Sequence, residues 1–397
     1  MKKMKRRIRW MALVLAVVLI LPLVGCSGGK TENKGSSEYR VCMITDAGDI
    51  TDQSLNKMTY ESCRVYCKEH DIDFTYKKPD GDTDYARVAM IDVAVAEGYN
   101  IIVVPGFVFA EALIETTHKY PDIKFIALDL STADIAAAAV GDAYYANPDA
   151  YDPADYYNTE NTYCAIYKEA ISGFLAGYSA VRLGYRRLGF LGGQAVPGVV
   201  RYGYGYLQGI DYAARELGIE KKVKVQYAYG GQFYGSTEIT AAMDTWYSHG
   251  VEVVFACGGG IFTSVAEAAE KEGGKVIGVD SDQSGIIDAY GEGMTVTSAM
   301  KNLSASVYSM LDSIIYLDTW KDHVGKIESL GLVSKTDSSL NYVGLPEETT
   351  QWNENYTLED YKKIVADIFD EKIIISDAVE QFPKLKIHVD VRKGTIK

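Results

Sequence analysis

The stretch Tyr39 to Asn56, YRVCMITDAGDITDQSLN, decides how the chain is read. Its first seven residues, YRVCMIT, form a mostly apolar run of strand length, and from Gln53 onward the pattern turns helical. The polar segment Thr45 to Asn56 therefore falls at the carboxyl end of a first strand, the edge where open α/β sheets bind ligands. Within it Gly48 permits a tight turn, Asp52 or Ser54 can cap the following helix, and Asp46 and Asn56 carry side chains able to hydrogen-bond a small molecule. An ordinary capped strand-to-helix turn uses the same residue types, so pattern alone leaves the role of this loop open.

Outward from the loop, strands and helices alternate. Apolar runs at Ile101 to Pro105, Phe125 to Leu128, Leu188 to Leu191, Val223 to Tyr227, Val251 to Cys257 and Val276 to Val279 are separated by longer segments of helical period, such as Tyr85 to Glu97 and Ala110 to Tyr120. This predicts parallel sheets with helices on both faces. A break in composition between Gly141 and Glu160, GDAYYANPDAYDPADYYNTE, divides the strands into two sets and so predicts two lobes. The break reads as a solvated excursion between lobes, with a flap that brings Tyr144, Tyr145, Tyr151, Tyr156 or Tyr157 toward a ligand or partner as the alternative. Asp149, Asp152 and Asp155 lack the spacing and central glycine of a calcium loop.

Length and composition agree with a globular protein of two domains: 397 residues, 47% hydrophobic and 24% charged. Formal net charge is -14, but six of the 40 basic residues (Lys2, Lys3, Lys5, Arg6, Arg7, Arg9) lie in a leader without acids. The rest carries 34 basic against 54 acidic residues, or -20, which argues against a nucleic-acid partner. The basic leader precedes an apolar run from Trp10 to Val24, and Leu23-Val24-Gly25-Cys26 follows in the L-x-x-C order of a bacterial lipoprotein cleavage site. Residues 1–25 read as a lipoprotein signal peptide, with Cys26 as the lipid (palmitate) attachment point, because the run is too short to cross a bilayer comfortably. Residues 26–37 have the composition of a flexible tether. Five cysteines remain, Cys42, Cys63, Cys67, Cys164 and Cys257, and an odd count in an exported chain argues against a disulfide framework. Cys63 and Cys67 share a helix face but have no histidine of ligand spacing, so neither a metal nor another cofactor is expected.

Asp46, Gly48, Asp52, Ser54 and Asn56 resemble the D-x-G-x-x-x-D-x-S-F-N signature of the basic membrane lipoprotein family, the nucleoside-binding lipoproteins of bacterial ABC importers, with Leu55 where the family usually has Phe. The resemblance continues through YKEAISGFLAG (Tyr167 to Gly177), GGQAVPGVVRYGYGY (Gly192 to Tyr206), the glycine-rich loops Gly230 to Gly235 and Gly258 to Gly260, VIGVDSDQ (Val276 to Gln283) and TSAMK (Thr297 to Lys301). It implies a two-lobed fold like the type I periplasmic binding proteins, each lobe a parallel sheet flanked by helices, with the ligand cleft between them. Residues 38–155 would form lobe I, with about 281–325 returning to it; 156–280 would form lobe II, joined by about 326–397. By the same resemblance Asp46 and Asn56 would address the edge of a nucleoside base, Leu55 and Phe233 would flank it, and Gly258, Asp280 and Lys301 would address the ribose. The chemistry suits a sugar, since a carboxylate can accept from two vicinal hydroxyls while a neighbouring ammonium neutralises it and donates. Arg201 and Tyr202 are further cleft candidates.

The implied protein is a monomeric, lipid-anchored receptor on the extracytoplasmic face of a bacterial membrane. It would close on a nucleoside, purines favoured, and pass it to ABC permease subunits. Leu55 keeps apolar contact but removes a stacking face, so a receptor for another small solute, or a sensing lipoprotein without a transporter, is the alternative. None of the five histidines stands in a motif with a carboxylate or cysteine, which argues against an enzyme. The leader and the lack of a helix-turn-helix segment argue against a transcriptional regulator.

Overall fold

The computed structural model describes residues 38–396 apart from 47 and 52; the leader, Cys26, the tether and Asp52 of the signature loop lie outside the described residues. Tyr39–Lys397 form one unit. Its first sheet contains β1 (Arg40–Ile44), β2 (Asp73–Lys77), β3 (Ile101–Pro105), β4 (Lys124–Leu128), β5 (Thr162–Tyr167) and β11 (Ile327–Leu330), in the order β11-β5-β4-β3-β1-β2. The second contains β6 (Arg187–Gly192), β7 (Lys224–Tyr229), β8 (Val253–Cys257), β9 (Lys275–Asp280), β10 (Thr295–Lys301), β12 (Val343–Gly344) and β13 (His388–Thr395), in the order β12-β10-β9-β8-β6-β7-β13. Among the described strands every pairing is parallel except β10 with β12.

Burial explains why the central strands are apolar throughout. Val41 and Met43 pack into a core on one face of the first sheet with Ile101 and Val103, while Cys42 and Ile44 pack on the other with Ile102 and Val104. Side chains alternate across a strand, so helices on both faces demand an unbroken apolar run. The second sheet repeats the pattern, with Val253, Phe255 and Cys257 on one face and Val254 and Ala256 on the other. All five cysteines after Cys26 are buried free thiols.

The lobes exchange chain three times. β5 runs into the helix Glu169–Leu183 of the second lobe, β10 into the helix Leu303–Ile315 that packs on the first, and β11 leads back to β12. These crossings hydrogen-bond one another: Lys168 N donates to Leu330 O at 2.8 Å, Asn302 N to Tyr342 O at 2.8 Å, and Tyr342 N to Gly331 O at 3.0 Å. The boundaries expected at 155/156, 280/281 and 325/326 therefore shift. Residues 162–167 and 327–330 belong to the first sheet, and 295–301 to the second. The sequence break at 141–160 misled because it is an excursion within the first lobe; its Tyr157 is buried in that lobe's core.

In the second lobe the helices Glu169–Leu183 and Pro197–Glu216 touch backbone to backbone. A Cβ placed on Gly173, Gly177, Gly205 or Gly209 would lie between 2.0 and 2.2 Å from a carbonyl oxygen of the partner helix. The helix Leu358–Phe369 buries Tyr361, Ile364, Val365 and Ile368 against the same core. The tail past Asp377 ends in β13 at the sheet edge, where Asp211 Oδ1 accepts from Lys386 N and Ile387 N at 2.5 and 3.1 Å.

Candidate ligand-binding site

Asp46, Leu55, Asn56, Phe233, Gly258, Asp280 and Lys301 all line one cavity of about 590 Å³, built from the carboxyl ends of strands in both sheets. That volume is typical of small-ligand sites. Arg201, Tyr202 and Phe107 line it as well, whereas none of the flap tyrosines does.

The first-lobe side of the site is the signature loop. Asn56, 2% exposed, donates through Nδ2 to Asp46 Oδ1 at 2.8 Å and accepts from Asp46 N at 3.2 Å, and Gly48 N donates to the same carboxylate oxygen at 2.5 Å. A Cβ on Gly48 would stand 2.7 Å from both side chains, so glycine is required for their close approach. Ser54 occupies the cap position of the helix Leu55–Glu69 without capping it through its side chain; its Oγ donates to Asp280 Oδ2 of the other lobe instead. Of the two caps expected, Asp52 or Ser54, the side chain of Ser54 does not serve, and Asp52 lies outside the described residues.

The second lobe provides an aromatic wall on a glycine floor. Phe233 rests against Gly193 and Gly258, where added Cβ atoms would lie 2.4 and 2.8 Å from its Cδ1. Gly258 has φ +128, a conformation L side chains rarely adopt. The glycine thus seats the ring.

Between the walls sits a charge cluster around Lys301, which is 5% exposed. Its Nζ donates to Asp129 Oδ2 at 2.9 Å and lies 3.4 Å from Asp280 Oδ1 and 3.7 Å from Glu169 Oε1. Tyr202 OH donates to Asp280 Oδ1 at 3.3 Å, and Arg201 Nε to Glu169 Oε2 at 2.6 Å. Burial opposes charge on Lys301, but Asp129, Asp280 and Glu169 outweigh it and hold its pKa well above the ordinary range. Burial likewise opposes ionisation of Asp129, yet Lys301 beside it keeps the carboxyl below its usual value. For Glu169, fully enclosed, burial wins and pushes the carboxyl up to about 7 against the pull of Arg201. Lys301 and Asp129 are thus held in their charged forms, ready to meet hydroxyl groups without reorganising.

Asp129 and Glu169 were not singled out from sequence. Asp129 had a signal: FIALD (125–129) and VIGVD (276–280) each place an aspartate at the end of the fourth strand of their lobe. Both aspartates have left-handed backbones, φ 61 and 63. Glu169 stands in the quoted YKEAISGFLAG segment, but only the folded chain shows that it turns toward Lys301.

Residues 39–378 match a family described as ABC transporter substrate-binding protein PnrA-like, or Bmp. The chain belongs to this family. Family members are substrate-binding proteins of ABC transporters, which bind rather than convert their solutes. An uncharacterised lipoprotein of Pyrococcus abyssi is 27% identical over 330 residues, covering 80% of this chain and 73% of its own. The protein of Lactococcus lactis named ABC transporter nucleoside-binding protein BmpA is 26% identical, covering 70% and 74%. Among solved structures, ABC transporter solute-binding proteins from Conexibacter woesei (18% identical, 85% of this chain and 99% of that one, TM-score 0.63) and Aeropyrum pernix (22%, 85% and 87%, 0.59) share the two-lobed α/β fold. β13 lies beyond the stretch that the family pattern covers.

Proposed function

We propose that this substrate-binding protein takes a nucleoside, purines favoured, in the cleft between its lobes, closes on it, and delivers it to a permease while Cys26 tethers the chain to the membrane by lipid. The observation that carries the reading is the Asp129-Lys301-Asp280 cluster beside the Phe233 wall: two carboxylates and an ammonium suited to vicinal hydroxyls, next to a flat apolar face suited to a base. Asp46, held by Asn56, would accept from the base edge. The name of the Lactococcus relative and the lipoprotein names of the Pyrococcus relatives support the same reading.

Titration calorimetry with adenosine, guanosine and their deoxy counterparts tests it. Asp280→Ala is expected to weaken ribonucleoside binding by roughly 2 kcal/mol or more, since it removes the acceptor proposed for the hydroxyls in a closed cleft while Lys301 keeps its bond to Asp129. Deoxyribonucleosides should bind worse than ribonucleosides. Equal affinity for both sugars, with Asp280→Ala unaffected, would remove the ribose assignment.

A second measurement addresses Leu55. Its Cδ2 lies 3.6 Å from where a Cβ on Gly106 would stand, so the two pack closely, and the adjoining Phe107 lines the cavity. Leu55→Phe is expected to tighten purine nucleosides about tenfold, within the roughly 1 to 3 kcal/mol of a stacked base. Weaker binding instead would assign the second wall to Phe107, because a further ring would then overpack the slot.

A further inference from the structure

Besides the Lys301–Asp129 pair, two hydrogen bonds in the cleft join the lobes directly and need no ligand atom. Ser54 Oγ of the first lobe donates to Asp280 Oδ2 of the second, and Gln283 Nε2 of the second donates to Gln53 O of the first at 3.0 Å. Ser54 and Gln283 are each 1% exposed. Gln283 is braced for this task within its own lobe: its Oε1 accepts from Val279 N at 3.0 Å, and its backbone N donates to Ser298 Oγ at 3.1 Å.

Several local preferences are overridden at this junction. Ser54 directs its hydroxyl across the cleft although a serine at this position is well suited to cap its own helix. Gln53 and Asp280, on opposite lobes, both sit in the left-handed region at φ 59 and 63, a conformation uncommon for non-glycine residues. Such departures persist where function compensates them.

We propose that Ser54 and Gln283 form an interlobe latch, in which Gln283 grips the backbone of the signature loop while Ser54 orients the Asp280 carboxylate from across the cleft. Both are positioning residues. Closing the lobes completes the partner set of Asp280, with Ser54 on one oxygen and Tyr202 and Lys301 on the other. The latch gives the closed form a stability of its own, so a solute has less of the cost of closure to supply. Its effect on solute residence rests on the receptor reading above; the latch itself does not.

Gln283→Glu is the informative change, because an oxygen still faces Val279 N while the donor to Gln53 O becomes an acceptor. Hydrogen exchange of the full-length protein, with no nucleoside added, is expected to speed up at least tenfold in both 53–57 and 281–287, with β3 unchanged. A merely structural role for Gln283 would loosen 281–287 alone and leave the opposite lobe's loop as it was; that outcome overturns the latch. Ser54→Ala should accelerate exchange in the same two segments, and combining it with Gln283→Glu should add little, since either change opens the junction. With adenosine as probe, both variants should release it about tenfold faster with little change in association rate. Unchanged exchange in both variants overturns the proposal whether or not adenosine binds, whereas changed exchange without adenosine binding leaves the latch standing and rejects the nucleoside.

Discussion

Lys301→Met is expected to abolish nucleoside binding and to unsettle the protein as well. The ammonium is buried among Asp129, Asp280 and Glu169, and its removal leaves carboxylates facing one another without a cation at their centre. Removing one partner of a buried ion pair typically costs about 3 to 5 kcal/mol, because the remaining charge is stranded. Arg201 offsets part of this through its bond to Glu169 Oε2. Urea unfolding should therefore show a loss within that range at neutral pH. The loss should shrink on acidification as the stranded carboxylates protonate. A Lys301→Met variant that matches wild type in stability and binds adenosine with similar affinity would show that the cluster is neither clamp nor support.

Gly205→Ala should have a comparable effect on stability through a helix contact outside the cleft lining. The added methyl would stand 2.1 Å from Ala170 O, with the Ala170 carbonyl carbon and Cα at 2.7 Å, and backbone cannot rotate aside as a side chain can. The two helices must separate or tilt. Overpacking costs about 1 to 3 kcal/mol, and a clash with helical backbone belongs at or above the top of that range. Gly81→Ala is the control, since nothing lies within 4 Å of its added Cβ; it should leave the unfolding midpoint nearly unchanged. Equal midpoints for the two variants would mean that the helix contact adapts, contrary to its backbone-to-backbone geometry.

The parts of the fold legible in sequence were those where one local signal sufficed. β1, β3 and β8 are buried on both faces and so read as continuous apolar runs, and the alternation of such runs with helical segments implied parallel sheets. β2 (DFTYK) and β13 (HVDVRKGT) escaped because edge strands need little apolar surface. The lobe boundaries were misplaced for a related reason. A chain crossing between lobes has no composition of its own, whereas the polar excursion at 141–160 looks like a linker while remaining within one lobe. At the site, the motif residues marked the cavity, but Glu169 reaches Lys301 only through packing within the second lobe, and the bond from Ser54 to Asp280 depends on how the lobes meet; no local pattern encodes either.

The three exchanges of chain between lobes bear on how the molecule is made. A polypeptide that emerges amino end first cannot finish its first lobe early, because β11 and the covering helix Leu303–Ile315 arrive after the whole of β6 to β10. Until then Val103, Ile126 and Tyr163 lack the Val307, Met310 and Leu311 side of their core. The nascent chain must keep a half-built, sticky sheet from pairing wrongly through most of its synthesis, and contacts so distant in sequence close slowly. A prematurely terminated product ending before Leu330 is therefore no half-receptor; it is a substrate for proteases.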